Sequence, residues 1–213
     1  MTYIFDEESH VVVQIPFIHI ENGEVKEVAE ELVAGRDGRV VKGRYATVAD
    51  AFQHALQSLA KALDETEAFL DKLEYRLEME EKVQPGEIYT ASYMAHALYY
   101  AATHLRQLGA ELLKRRLVPH RQYLFSKTLY RRSLIVRRYA RDVRLLYATV
   151  VQLSLDASMK KLTWLGTVAL PALVVTSFYG MNLEWLPLAD QPPVVFALLL
   201  LLTLGFAALL NKI

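Results

Sequence analysis

The sequence predicts a mainly α membrane protein: a small amino-terminal β module, a helical hairpin, a long stalk helix continuous with a first transmembrane helix, and a second transmembrane helix. Three observations predict it. Residues 162–179 carry no charge and as a helix would extend about 27 Å at ~1.5 Å per residue, near the lower limit for crossing a hydrocarbon core. Residues 194–210 form a second uncharged stretch, rich in leucine. Between them and residue 47, apolar side chains recur at alternating spacings of three and four, the signature of packed helices.

Acidic and basic residues balance at 24 each, yet the charges are segregated along the chain. Residues 1–100 hold 19 acidic and 9 basic groups, residues 101–161 hold 3 and 14, and residues 162–213 hold 2 and 1. With no cysteine there is neither a disulfide frame nor a thiolate metal site. The first eight residues lack a basic leader and an apolar run, so they do not read as a signal peptide.

The four segments take the boundaries 1–46, 47–118, 119–161 and 162–213. In the first, His10 to Ile20 is rich in β-branched residues and Asn22-Gly23 is a strong hairpin turn. Arg36 to Arg39 turns again toward a strand at Val40-Val41, and Pro16 suits an edge or a bulge. So few residues make little core alone, so this module leans on the following helices or on a neighbouring subunit.

Thr47 and Asp50 suggest a helix start, with a hydroxyl cap and a carboxylate near the positive helix end. Ala51, Ala55, Leu59, Leu63, Leu70, Leu73 and Leu77 give this helix an apolar side. Its crowded acids, Asp64 to Glu81, read as a solvated face or as a lure for cations. Pro85-Gly86 reverses the chain into a second helix, about 87–116, whose predicted packing line is Tyr89, Tyr93, Ala97, Tyr100, His104, Leu108 and Leu112.

Pro119 opens the stalk. Val136, Tyr139, Val143, Leu146, Val150, Leu153 and Ala157 follow a heptad-like spacing suited to lengthwise packing. Arg131, Arg132, Arg137, Arg138, Arg141, Arg144, Lys160 and Lys161 all precede the first span, which places that side in the cytoplasm. The loop 180–193 carries Glu184 and Asp190 but no lysine or arginine, so it lies outside, and both termini lie inside a cell (inner) membrane. Attached directly to a span and lacking a reading module, these arginines fit orientation and membrane-lipid contact rather than nucleic acid.

One face of the first span is not greasy. Asp156, Met159, Leu162, Thr163, Gly166, Leu170, Leu173 and Ser177 are candidates to line a water-filled path or a bundle interior, or to pack through small residues. Met159 and Leu162 could close a hydrophobic gate. The second span has no polar line beyond Thr203 and suits a lipid-facing outer helix.

Met159-Lys160-x-Leu162-Thr163, Pro171 and Tyr179-Gly180-Met181-Asn182, followed by a short loop and a closing span, resemble the signature of the CorA family of divalent-cation channels. The resemblance implies a homopentamer whose first spans line one pore and whose principal cargo is magnesium, with cobalt, nickel or zinc as related cargoes and no cofactor. It implies a selectivity motif at Gly180, Met181 and Asn182. Converging helix carboxyl ends and a ring of Asn182 amides could hold hydrated magnesium through its water shell without trapping it. Gly180 would permit the turn that aims these groups, and Glu184 and Asp190 would charge the mouth. Asp156, a second metal-contact candidate, stands where the family pattern has an asparagine; a ring of such carboxylates would let protons compete with metal. Leu188 stands where an acid is usual, and the tail holds one lysine instead of a basic cluster.

Two other readings keep this architecture: a zinc or cobalt transporter, and a non-conducting membrane scaffold. An enzyme does not fit, because the six histidines show no metalloprotease spacing and no nucleophile motif accompanies them.

Overall fold

The computed structural model describes residues 4–6, 10–180 and 191–210. The chain divides into two compact units, residues 1–150 and 151–213. The first unit opens with four antiparallel strands in sequence order: β1 (Ile4–Asp6), β2 (His10–Glu21), β3 (Glu24–Gly35) and β4 (Val40–Lys42). β1 is too short to have been legible in the sequence. The β2–β3 register runs from His10 opposite Gly35 to Glu21 opposite Glu24. Their turn puts Asn22 at φ 54° and Gly23 at φ 80°, the paired left-handed conformations that a two-residue hairpin demands. Among the described residues β1 pairs only with Val11 to Val13, and there Pro16 has a single neighbouring strand, where its missing N–H is tolerated.

Two helices follow, α1 (Val48–Glu78) and α2 (Pro85–Lys114). α1 begins as its sequence dictates: the Thr47 hydroxyl accepts the Asp50 N–H at 3.1 Å and also donates to the Asp50 carboxylate at 2.8 Å. α2 corrects the expected reversal at Pro85-Gly86. Pro85 is its first residue, Gln84 caps it, and the Glu87 carboxylate accepts the Gln84 N–H at 2.9 Å. A proline at that position lacks only an N–H that the helix could not use.

Val11, Val13, Ile15 and Leu32 of the sheet are buried in one core with Phe52, Leu56, Leu59 and Leu63 of α1 and Leu98, Leu105 and Leu112 of α2. The sheet therefore leans on helices of its own chain. The predicted apolar side of α1 is buried throughout, whereas the predicted α2 line is wrong at its first half. Tyr89, Tyr93 and Tyr100 are exposed, and Ile88, Ala91, Ala95, Leu98, Ala102 and Leu105 are buried instead. Small residues let α2 approach closely: a Cβ on Gly109 would stand 2.8 Å from Cζ of Phe52.

α3 is one helix, His120–Tyr179, and its residues up to 150 belong to the first unit. There Leu129, Val136, Ala140 and Val143 are buried, and the hydroxyls of buried Ser126 and Ser133 donate to the Tyr123 and Tyr130 carbonyls at 2.7 and 2.8 Å. The second unit holds the remainder of α3 and α4 (Pro192–Leu210). Among the described residues no helix is long and apolar enough to cross a membrane. The predicted spans 162–179 and 194–210 include the side chains of residues 178, 209 and 210, which lie outside those described.

Candidate functional site: the distal face of α3

Asp156, Met159, Leu162, Thr163, Gly166, Leu170, Leu173 and Ser177 all stand on the second-unit part of α3, and every one is exposed. Asp156, Met159, Lys160, Thr163 and Thr167 line one open groove along the helix. Asp156 and Lys160 are a helical turn apart, yet no ion pair joins them among the described residues. A Cβ on Gly166 would meet nothing within 4 Å.

Threonines in this stretch are satisfied by their own helix. Thr167 donates to the Thr163 carbonyl at 2.8 Å, Thr176 to the Ala172 carbonyl at 2.9 Å, and in α4 Thr203 to the Leu199 carbonyl at 2.8 Å. A hydroxyl returned to its own backbone can sit in apolar surroundings without an orphaned donor. Pro171 lies inside α3 and withholds the N–H that would otherwise meet the Thr167 carbonyl.

α3 ends at Tyr179, and the Gly180 N–H still bonds the Thr176 carbonyl at 2.9 Å. Gly180 is not among the residues with positive φ, so its own backbone conformation does not call for glycine. Space is tight instead: a Cβ would stand 3.2 Å from the Thr176 oxygen. Met181, Asn182, Glu184 and Asp190 lie outside the described residues, as does Leu188.

In the first unit the acids of α1 have a function that the sequence reading missed. Arg132 donates through Nε to Glu67 at 3.0 Å, and its terminal nitrogen reaches both Asp64, at 2.6 Å, and Glu67. The Glu67 carboxylate, ahead of Asp64, holds the Arg132 guanidinium even above its usual high pKa. Next on α3, the Tyr139 hydroxyl lies 2.8 Å from Asp71 and 2.6 Å from Glu74. Burial, then these carboxylates, pushes the Tyr139 phenol well above its ordinary value. Four acids at helical spacing thus bind α1 to α3, Glu67 and Glu74 half-buried and Asp64 and Asp71 at the exposed edge of the contact. Among the described residues no cluster of three or more His, Asp or Glu side chains could hold a metal ion.

No curated protein matches the chain at a significant level. Among solved structures it is similar to the CorA magnesium transporter of Methanocaldococcus jannaschii, with TM-score 0.64 and 17% identity over 98% of this chain and 78% of that one. It is also similar to the full-length CmaX protein, with TM-score 0.66 and 13% identity over 98% of this chain and 76% of that one. At those identities the likeness shows a shared fold. The family model described as CorA-like Mg2+ transporter protein matches residues 18–211, nearly the whole length, and the chain therefore belongs to that family of divalent-cation transporters.

Proposed function

We propose that this chain forms a magnesium channel in a cell membrane, with five copies gathering the 162–179 segments of α3 around one pore and the 194–210 segments outside them. The observation that carries the reading is the uncovered apolar surface of the second unit. Leu162 is 73% exposed, Leu201 is 75% exposed, and Leu165, Leu173, Leu204 and their neighbours are exposed with them. Water alone does not tolerate so large an apolar surface; lipid and other copies of the chain would cover it. Membership of a transporter family makes the chain no enzyme and gives that surface its purpose.

Within the pore, Thr163, Gly166 and Ser177 would supply a small polar line, with Met159 and Leu162 as the inner constriction. Gly180, Met181 and Asn182 would form the outer selectivity ring, where amide oxygens hold a hydrated cation loosely enough to release it. Glu184 and Asp190 would raise the local cation concentration at the mouth. Purified protein in liposomes should pass magnesium down its gradient, and Asn182→Ala should lose most of that flux while keeping its assembly. Competition by zinc, cobalt and nickel ranks the cargo. Protein that passes no divalent ion under any gradient would be a scaffold instead.

A further inference from the structure

Between α2 and α3 of the first unit lies a cleft of about 370 Å³, lined by Ser92 and His96 on one side and by Arg137, Arg138, Arg141 and Arg144 on the other. Neither pore nor packing uses it. Arg137, Arg141 and Arg144 follow the four–three spacing that stacks them on one helix face, with Arg138 beside them. Like charges so placed repel and weaken the helix unless something neutralises them.

The chain supplies little to do so. Arg141 reaches only its neighbour Asp142, at 3.5 Å. Arg137 lies over the Tyr99 ring, 4.8 Å from its centre, and among the described residues no carboxylate stands within ion-pair distance of Arg137, Arg138 or Arg144. The facing helix offers a hydroxyl and an imidazole, not an acid. The contrast with Arg132, on the same helix and bound by two carboxylates, is informative. Arg132, which joins helices, has its counter-charge; around the cleft Arg137, Arg138 and Arg144 are presented without one among the described residues, and Arg141 has only Asp142.

We propose that this cleft is a binding site for a phosphate-bearing anion with at least two neighbouring phosphates. Guanidinium forks match phosphate oxygens in pairs, the cleft has the size of a small-molecule pocket, and Ser92 can add a hydroxyl donor. At its rim the Tyr100 ring meets His96 edge-on, with centres 4.8 Å apart, and stays half exposed. It offers a flat surface for a base beside the phosphates. The chemistry is shared by a soluble nucleoside polyphosphate and by the two-phosphate headgroup of cardiolipin. The site does not depend on the pore: protein that conducts no ion can still bind the anion.

The test uses the full-length protein in nanodiscs of zwitterionic phosphatidylcholine, without divalent cations, titrated calorimetrically with inorganic tripolyphosphate and with ATP. A parallel arm replaces part of the lipid with cardiolipin, whose headgroup carries two phosphates, and compares thermal stability. Wild-type protein should bind a polyphosphate probe or gain melting temperature with cardiolipin; the first result assigns a soluble ligand, the second a headgroup. Arg138→Gln with Arg141→Gln should weaken whichever effect is seen at least tenfold, while Arg131→Gln, outside the cleft, changes it less than twofold. Equal losses in both variants would reduce the effect to general charge attraction and overturn the site. So would wild-type protein that responds to none of the probes. If, in addition, the double variant alone falls apart into smaller assemblies, the arginines hold carboxylates of a second copy instead. The wild-type melting shift needs no variant to fold.

Discussion

At the scale of single residues, Arg132 joins two helices through carboxylates that lie 65 positions away in sequence for Glu67. Its side chain and that of Glu67 are about one-third exposed, a setting between the weak surface pair and the costly buried one. A double-mutant cycle of Arg132→Met and Glu67→Gln should therefore give a coupling of about 1 kcal/mol in denaturant unfolding; strictly additive losses would deny the contact any energetic part. Glu87 offers a pH-dependent counterpart. The Arg76 guanidinium, 2.6 Å away, and then the Gln84 N–H hold the Glu87 carboxyl below its ordinary value of 4.5. The folded state thus favours the ionised form, and its stabilisation is complete above the unfolded value and fades as pH falls through the lower folded one. Stability curves of the wild type and Glu87→Gln should differ above about pH 4.5 and converge below it. Parallel curves down to the acid limit would contradict that linkage.

At the scale of elements, close approach decides what hydropathy does not. Gly109 faces the fully buried ring of Phe52, which has no solvent into which to retreat. Alanine gains about 1 kcal/mol in helix propensity, but overpacking a filled core costs about 1–3 kcal/mol, so Gly109→Ala should lower the melting temperature. A rise would mean that the ring shifts without strain. The same physics explains which elements the sequence revealed. Asn22-Gly23, the Thr47 cap and the buried side of α1 each rest on a local signal, and each was legible. The packed face of α2 was not, because tyrosines count as apolar in a periodic pattern although their hydroxyls seek water. The true face sets Ala91, Ala95, Ala102 and Gly109 among Ile88, Leu98 and Leu105, and those small side chains carry little hydropathy but allow two helices to meet. The α1–α3 network was illegible for a different reason: acids at helical spacing look solvated until their distant partners are known.

At the scale of the whole molecule, the distal face of α3 was legible as a line because helical period alone places its residues, while the Arg137–Arg144 cleft needed α2 to supply its other wall. Assembly is the proposed cover for the exposed apolar surface, and native mass measurement in mild detergent should give five copies; a monomer or dimer active in flux would refute the five-fold pore. A cysteine at Asp190 should react with impermeant reagent from outside only, and labelling confined to the cytoplasmic side would invert the topology. Asp156 tests the pore assignment itself. It shares a groove with Met159 and Thr163 and makes no ion pair with Lys160 among the described residues, so five copies would set five carboxylates around the path at its inner end. Such a ring concentrates divalent cations by charge, whereas an amide ring binds only through dipoles. Asp156→Asn should therefore raise the magnesium concentration for half-maximal flux driven from the cytoplasmic side by several-fold, with saturated flux largely kept and the five-copy mass unchanged. A carboxylate pointing away from the path would leave the concentration dependence untouched, and that outcome would remove Asp156 from the pore.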